Sequence, residues 1–245
     1  MTNAQRKNSS SLKTTLIVVV VGIAGYFWGG LTVYERLFPY EQVRAAYYAL
    51  HDGPLGTVAK PNPRNTIFQT FSPQANVVMI GDSLTADGEW SEMFPQSKIA
   101  NRGIGRDRAD NILLRMDPIL AVNPNKAFVM VGINDIGYGQ SVDTIFSNYT
   151  NIVQQLTDKG ITVYIQSTLE CSKSVCGDRL DKVRDLNTRL STYAEQQKLS
   201  YININAGLTT EKDGLLKDYT YDGTHLLGSG YLKWSKTIAP YVTSN

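Results

Sequence analysis

A chain of 245 residues with only two histidines limits where a base titrating near neutrality can sit. His51 lies in a stretch punctuated by glycine and proline, whereas His225 lies in YDGTHLLGSGY with Asp222 three residues before it. At that spacing both side chains come from one short loop or helical turn. Asp222 can then accept an imidazole N–H, fix the tautomer and stabilise the imidazolium as the ring takes up a proton. The nucleophile that suits such a base is Ser83, in VVMIGDSL, where an apolar run ends at Gly81 and a polar pair. A hydroxyl on a strand-to-helix turn is exposed at the sheet edge, close to N–H groups that favour developing negative charge. A serine there serves equally well as a helix cap, and Asp222 as a cap beside a surface histidine, so neither motif decides alone.

Acyl transfer also needs donors aimed at the tetrahedral oxyanion. Asn134, in GINDI after a third apolar run, offers a side-chain amide, and NRGIGRDR after the second offers backbone N–H groups at a predicted helix start. Either feature alone is the ordinary chemistry of a turn or cap.

These residues require a scaffold that brings several loops to one edge. The runs VVMIG at 77–81, KIANRG at 98–103, AFVMVG at 127–132, ITVYIQS at 161–167 and LSYINI at 199–204 predict five strands. RADNILLRMDPILAV, VDTIFSNYTNIVQQLTDK, DRLDKVRDLNTRLSTYAEQQK and GYLKWSKTIAPYV repeat apolar residues every three or four positions and predict helices. Strands alternating with helices predict a three-layer α/β/α sandwich on a five-stranded parallel sheet over 76–245. In such a sheet function collects at the carboxyl ends of the strands, where GDSLTADGE, NRGIGRDR and GINDIGYGQ follow the first three runs.

In this order, IGDSL, NRGIG, GIND and DGTH resemble the four motif blocks of the SGNH/GDSL hydrolases, and of their platelet-activating-factor acetylhydrolase-like branch in particular. The resemblance runs from about Val77 to Tyr241. It implies the flavodoxin-like SGNH fold, Ser83 as nucleophile, Asp222 and His225 as the rest of the triad, Asn134 as an oxyanion donor, and neither metal nor organic cofactor.

One position departs from the pattern. Relatives of this type usually carry glycine where this chain has Arg106, in GIGRD. The donor needed there is a backbone N–H, which arginine still provides, so the oxyanion hole is expected to comprise Ser83, Arg106 and Asn134. Glycine accepts φ > 0 far more readily than arginine, which puts the local conformation in question. Two fates are open to the guanidinium: it faces the cleft and an anionic substrate group, or it faces solvent and pairs with Asp107 or Asp110.

The N-terminal region has a different character. Between Lys13 and Glu35 the chain is uncharged, long enough at about 1.5 Å per residue to cross a hydrocarbon core about 30 Å thick. This predicts a transmembrane helix over 14–34, with Tyr26, Phe27, Trp28 and Tyr34 as an interfacial belt. Arg6, Lys7 and Lys13 precede it without any acid, so residues 1–13 are expected in the cytoplasm and the hydrolase domain outside. A cleaved signal peptide is the alternative, but its apolar core is normally shorter. Residues 35–75, with Pro54, Pro61, Pro63 and Pro73, read as a stalk or linker. In an oxidising compartment Cys171 and Cys176, five residues apart, would close a small disulfide loop; free thiols are the alternative.

With 24 basic and 22 acidic residues, no global field favours nucleic acid. The expected function is a membrane-anchored serine esterase, with an acylated glycan as first substrate and the membrane as its partner. Lysophospholipid or thioester hydrolysis, acyl transfer to a glycan, and a non-catalytic envelope binding module are the alternatives.

Overall fold

The computed structural model describes residues 23–31 and 62–244. The chain divides into two compact units, Met1–Ala59 and Lys60–Asn245. Of the first, residues 23–31 are helical, with Ile23, Tyr26, Phe27, Trp28 and Leu31 exposed. Among the described residues no helix is long and apolar enough to cross a membrane. Most of the predicted span over 14–34 lies outside them, as do His51 and the rest of the predicted stalk up to residue 61.

The second unit opens earlier than the sequence suggests. Helix α1 (Pro63–Thr70) starts with proline in its first turn and with the Asn62 side chain accepting from Arg64 N–H at 2.9 Å. Pro63 thus reads as linker in composition but works as a helix start, where its missing N–H costs nothing. Phe68 is buried between two guanidiniums, Arg64 at 5.3 Å and Arg102 at 4.5 Å from the ring centroid, and Arg64 Nε donates to Gly103 O at 2.7 Å. The last part of the predicted linker therefore belongs to the folded body.

The body then runs β1 (Val77–Gly81), α2 (Ser83–Ala86), α3 (Trp90–Met93), β2 (Ile99–Gly103), α4 (Ala109–Leu113), α5 (Met116–Leu120) and β3 (Lys126–Met130). It continues with α6 (Ile133–Gly137), α7 (Val142–Thr157), β4 (Thr162–Gln166), α8 (Lys173–Cys176), α9 (Arg179–Gln197), β5 (Ser200–Ile202), a two-residue hairpin pair β6 (Thr209–Thr210) and β7 (Gly214–Leu215), and α10 (Gly228–Val242). Strands β1 to β5 form one all-parallel sheet in the order β2-β1-β3-β4-β5. All five predicted strands are present.

Alternate side chains of each strand enter different cores, as the two-residue period requires. Val78, Ile80, Val129 and Ile165 pack with Ile112, Ile119, Tyr149, Ile152, Leu186 and Leu190 of α4, α5, α7 and α9. Val77, Met79, Phe128 and Met130 pack with Trp90, Tyr231, Trp234 and Ile238 of α3 and α10 on the opposite face. Burial on both faces explains why these strands read as continuous apolar runs.

The helix predicted from RADNILLRMDPILAV is two short ones. Arg115 interrupts it with φ −129 and ψ 33, and its guanidinium is buried, donating to Asp107 and to backbone carbonyls. A charge that must reach partners inside the body sets the backbone there, and helical periodicity in the sequence does not reveal it.

Candidate active site

The chain reverses direction across the sheet between β1 and β3, so the loops that leave their carboxyl ends diverge and open a crevice. Ser83 is the first residue of α2, directly after β1 and its buried Asp82. Gly81 is required at this junction: a Cβ there would lie 2.2 Å from Thr85 Oγ1 and 2.3 Å from Met130 O. Asp82 caps α2, its carboxyl accepting from Leu84 N–H at 3.0 Å.

Ser83 Oγ lies 3.0 Å from His225 Nε2, and His225 Nδ1 lies 2.7 Å from Asp222 Oδ2. The turn that carries the last two is tightly made. Asp222 Oδ1 accepts from the N–H groups of Thr224 at 2.8 Å and His225 at 2.7 Å, while Thr220 Oγ1 donates to His225 O at 2.6 Å. Gly223 sits at φ +84 with Val175 Cγ2 2.4 Å from where a Cβ would be, so no other residue fits. Burial raises the Asp222 pKa, but the His225 ring and the two backbone donors outweigh it and hold the carboxyl below its ordinary value. An ionised Asp222 is an acceptor only. His225 Nδ1 therefore carries the proton and Nε2 presents its lone pair to the Ser83 hydroxyl.

Arg106 and Asn134, predicted with Ser83 as oxyanion donors, lie on the loop after β2 and the helix after β3. The β2–α4 loop passes beside Ser83, since a Cβ on Gly105 would stand 4.0 Å from Ser83 Cβ. Arg106 holds φ +67, the left-handed conformation that glycine takes at no cost. Its N–H donates to no group among the described residues. Asn134 Nδ2 donates to Asp107 O at 3.0 Å and lies 3.5 Å from Asp82 Oδ2, so the amide is tied to the same loop. Gly132, at φ +136, starts the helix that carries it and fits against Leu186 and Thr168.

A model of the GDSL-like lipase/acylhydrolase family matches residues 79–233, which span Ser83, both loops and the histidine turn. The chain belongs to the GDSL-like lipase/acylhydrolase family. N-acylneuraminate cytidylyltransferase of Streptococcus agalactiae is 26% identical over 156 residues, which are 63% of this chain and 36% of that protein. The chain thus matches about a third of the length of that relative. In fold it is similar to a candidate acylhydrolase from Bacteroides fragilis (22% identity, 75% of this chain and 98% of that one, TM-score 0.67). It is also similar to an acetylxylan esterase from Geobacillus stearothermophilus (13% identity, 71% and 97%, TM-score 0.57).

Several groups that brace this site are not evident from the sequence as such. Asn101 Nδ2 donates to the carbonyls of Thr85, Ala86 and Gly88 at 3.0 to 3.1 Å, and its Oδ1 accepts from Gly103 N–H, so one side chain ties β2 to the end of the Ser83 helix. Tyr231 Oη donates to Leu84 O at 2.8 Å from α10. Buried Arg115 donates to Asp107 at 2.6 Å and to Arg102 O at 2.9 Å, holding the loop of Arg106 from beneath. Asp135 is buried and accepts from Ala109 N–H at 2.9 Å. Burial pushes Asp82 up to about 8 and Asp135 up to about 7.

Cys171 and Cys176 are joined in a disulfide whose loop packs against the histidine turn, with Ser172 N–H donating to Gly223 O at 2.7 Å. A separate groove of about 600 Å³ between α9 and the end of β5 holds none of the triad. Its Asn187, Asn205 and Arg184 side chains are engaged with Thr168, Glu170 and neighbouring carbonyls.

Proposed function

We propose that the chain is a membrane-tethered serine esterase that removes O-acetyl groups from glycans outside the cytoplasm. The observation that carries the chemistry is the unbroken relay from Ser83 Oγ through the His225 ring to Asp222, at 3.0 and 2.7 Å.

In the first step Ser83 Oγ forms a bond to the acyl carbonyl carbon while its proton passes to His225 Nε2. The carbonyl oxygen becomes an oxyanion held by the N–H groups of Ser83 and Arg106 and the Asn134 amide. The tetrahedral species then expels the alcohol, which takes the proton from Nε2, and leaves an acyl-Ser83 ester. Water enters, gives a proton to Nε2 and attacks the same carbon. Collapse returns that proton to Ser83 Oγ and releases the acid. Asp222 stays ionised throughout and stabilises the imidazolium.

The glycan reading rests on the surroundings of the relay. Tyr221 is 68% exposed and lies nearly parallel to the His225 ring, with centroids 5.9 Å apart and planes 18° apart. It offers an open aromatic face beside the reacting carbon, suited to the C–H face of a sugar ring. The cytidylyltransferase relative is named for an N-acylated sugar, and the esterase neighbour for an acetylated polysaccharide. The tether rests on the uncharged run between Lys13 and Glu35 and the basic residues before it.

A fluorophosphonate probe tests the core of the reading. The wild-type chain should label at one serine and release acetate from an acetylated oligosaccharide. Absence of label on the folded protein would sink it. Alkaline extraction of membranes tests the tether, since a spanning helix keeps the chain in the pellet.

A further inference from the structure

Arg106 occupies a place where a side chain is a cost. At φ +67 a residue with a Cβ is strained, and a backbone N–H is all that oxyanion binding asks of this position. Its side chain is exposed and makes no hydrogen bond or ion pair among the described residues. The acids beside it in sequence are already engaged. Asp107 is held by Arg115 at 2.6 Å, and Asp110 by Arg108 at 3.1 Å. Arg108 is further occupied by stacking over Tyr138 at 4.9 Å. The loop therefore presents one uncompensated guanidinium, on the residue after Gly105, where a Cβ would stand 4.0 Å from Ser83 Cβ.

We infer that Arg106 recognises a carboxylate on the substrate, so that the preferred ester is an O-acetyl group on an acidic sugar. This rests on the glycan reading above and narrows it. The carbonyl held at Arg106 N–H brings the alcohol portion of the ester next to the same residue's side chain. A guanidinium matches a carboxylate with two parallel N–H···O bonds, which a neutral sugar cannot return. The strained backbone is the trace of that role, because glycine would form the same hole without strain and without charge.

The test compares kcat/KM for acetylated glucuronic acid, acetylated glucose and acetylated glucose phosphate, with p-nitrophenyl acetate as a sugar-free reference. In the wild type the glucuronate ester should be preferred over both others, and the preference should weaken between 0.05 and 0.5 M salt. In Arg106→Gln the glucuronate-to-glucose ratio should fall about tenfold, the loss expected for a charge-assisted pair, and Arg106→Lys should restore part of it. Taking the ratio within each variant cancels any common effect on the oxyanion hole. Both sugar esters turned over with a ratio unmoved by Arg106→Gln would overturn the inference and leave the glycan reading standing. A preference for the phosphate ester would overturn it as well. Turnover of p-nitrophenyl acetate with neither sugar ester would remove both.

Discussion

Ser172 gives its backbone N–H to Gly223 O over 2.7 Å, and that bond joins the disulfide loop to the turn that carries Asp222 and His225. Cys171 and Cys176 close a loop on which the turn of His225 rests, and Val175 in the same loop fills the space that only a glycine at 223 leaves. Replacing both cysteines by alanine is expected to lower stability by roughly 2 kcal/mol, the chain-entropy value for so short a loop. It should also lower kcat several-fold with little change in KM. Thermal melts and steady-state kinetics read the two effects. Full kcat in the double variant would show that the turn stands without the loop.

The relay makes different demands on its members. Ser83→Ala should lose turnover and fluorophosphonate labelling while the circular dichroism spectrum is kept. Asp222→Asn keeps the shape but can donate to Nδ1, which leaves Nε2 protonated and unable to accept from Ser83, so kcat should fall by about 10³-fold or more. Burst kinetics on a p-nitrophenyl ester would locate the loss in acylation.

Asn101 is expected to matter as much as a residue that touches substrate. Asn101→Ala strips a donor from the carbonyls of Thr85, Ala86 and Gly88 and should cost about 1–3 kcal/mol of stability. Because those carbonyls end the helix begun by Ser83, kcat should drop with KM nearly unchanged. A melt and an activity assay on the same preparation separate the two.

Two buried acids set an unusual pH response. Asp82 and Asp135 titrate at about 8 and about 7 in the fold because burial penalises their charged forms, against about 4 in an unfolded chain. Between those values the native state binds more protons than the unfolded one, so their contribution to stability is full below about pH 4 and is lost as pH rises towards 7 to 8. The limiting slope is about 1.4 kcal/mol per pH unit for each proton. Asp222 acts in the opposite sense: its depressed value stabilises the fold above about pH 4 and that contribution is lost in acid. Denaturation midpoints from pH 5 to 8 should therefore decline, and Asp135→Asn, which keeps an acceptor for Ala109 N–H, should flatten the decline. An unchanged slope would mean that Asp135 does not carry it.

Tyr221→Ala should raise KM for an acetylated oligosaccharide several-fold and leave p-nitrophenyl acetate nearly unaffected, if the exposed ring is a sugar platform. Equal effects on both substrates would assign Tyr221 to supporting the His225 ring on which it stacks.

Much of this site is legible in the sequence because its parts obey local rules. Burial on both faces writes each strand as an apolar run, and the turns that follow collect Gly, Asp and Ser. Ser83, Asp222 and His225 stand out because the chain has so few bases to choose from. The parts that escape are those whose partners lie far along the chain. Arg115 looks like one charge in an amphipathic helix, yet it splits that helix to reach Asp107 and Arg102 O. Pro63 looks like a linker residue, yet Phe68 and Arg64 dock its helix on the body. Asn101 is visible as part of NRGIG, but only the fold shows three carbonyls within its reach. Arg106 is the intermediate case: the sequence raises the conflict between arginine and a glycine-like backbone, and the structure resolves it as φ +67.

The separation of 142 residues between Ser83 and His225 has a consequence for how the protein is made. The nucleophile's strand and helix leave the ribosome well before the base, and Tyr231 in α10 supplies the bond to Leu84 O later still. A nascent chain that has already paired β1, β2 and β3 holds a serine with no partner. The relay is therefore incomplete during synthesis, and it is closed only when the segment from Thr220 to Tyr231 docks against the finished sheet.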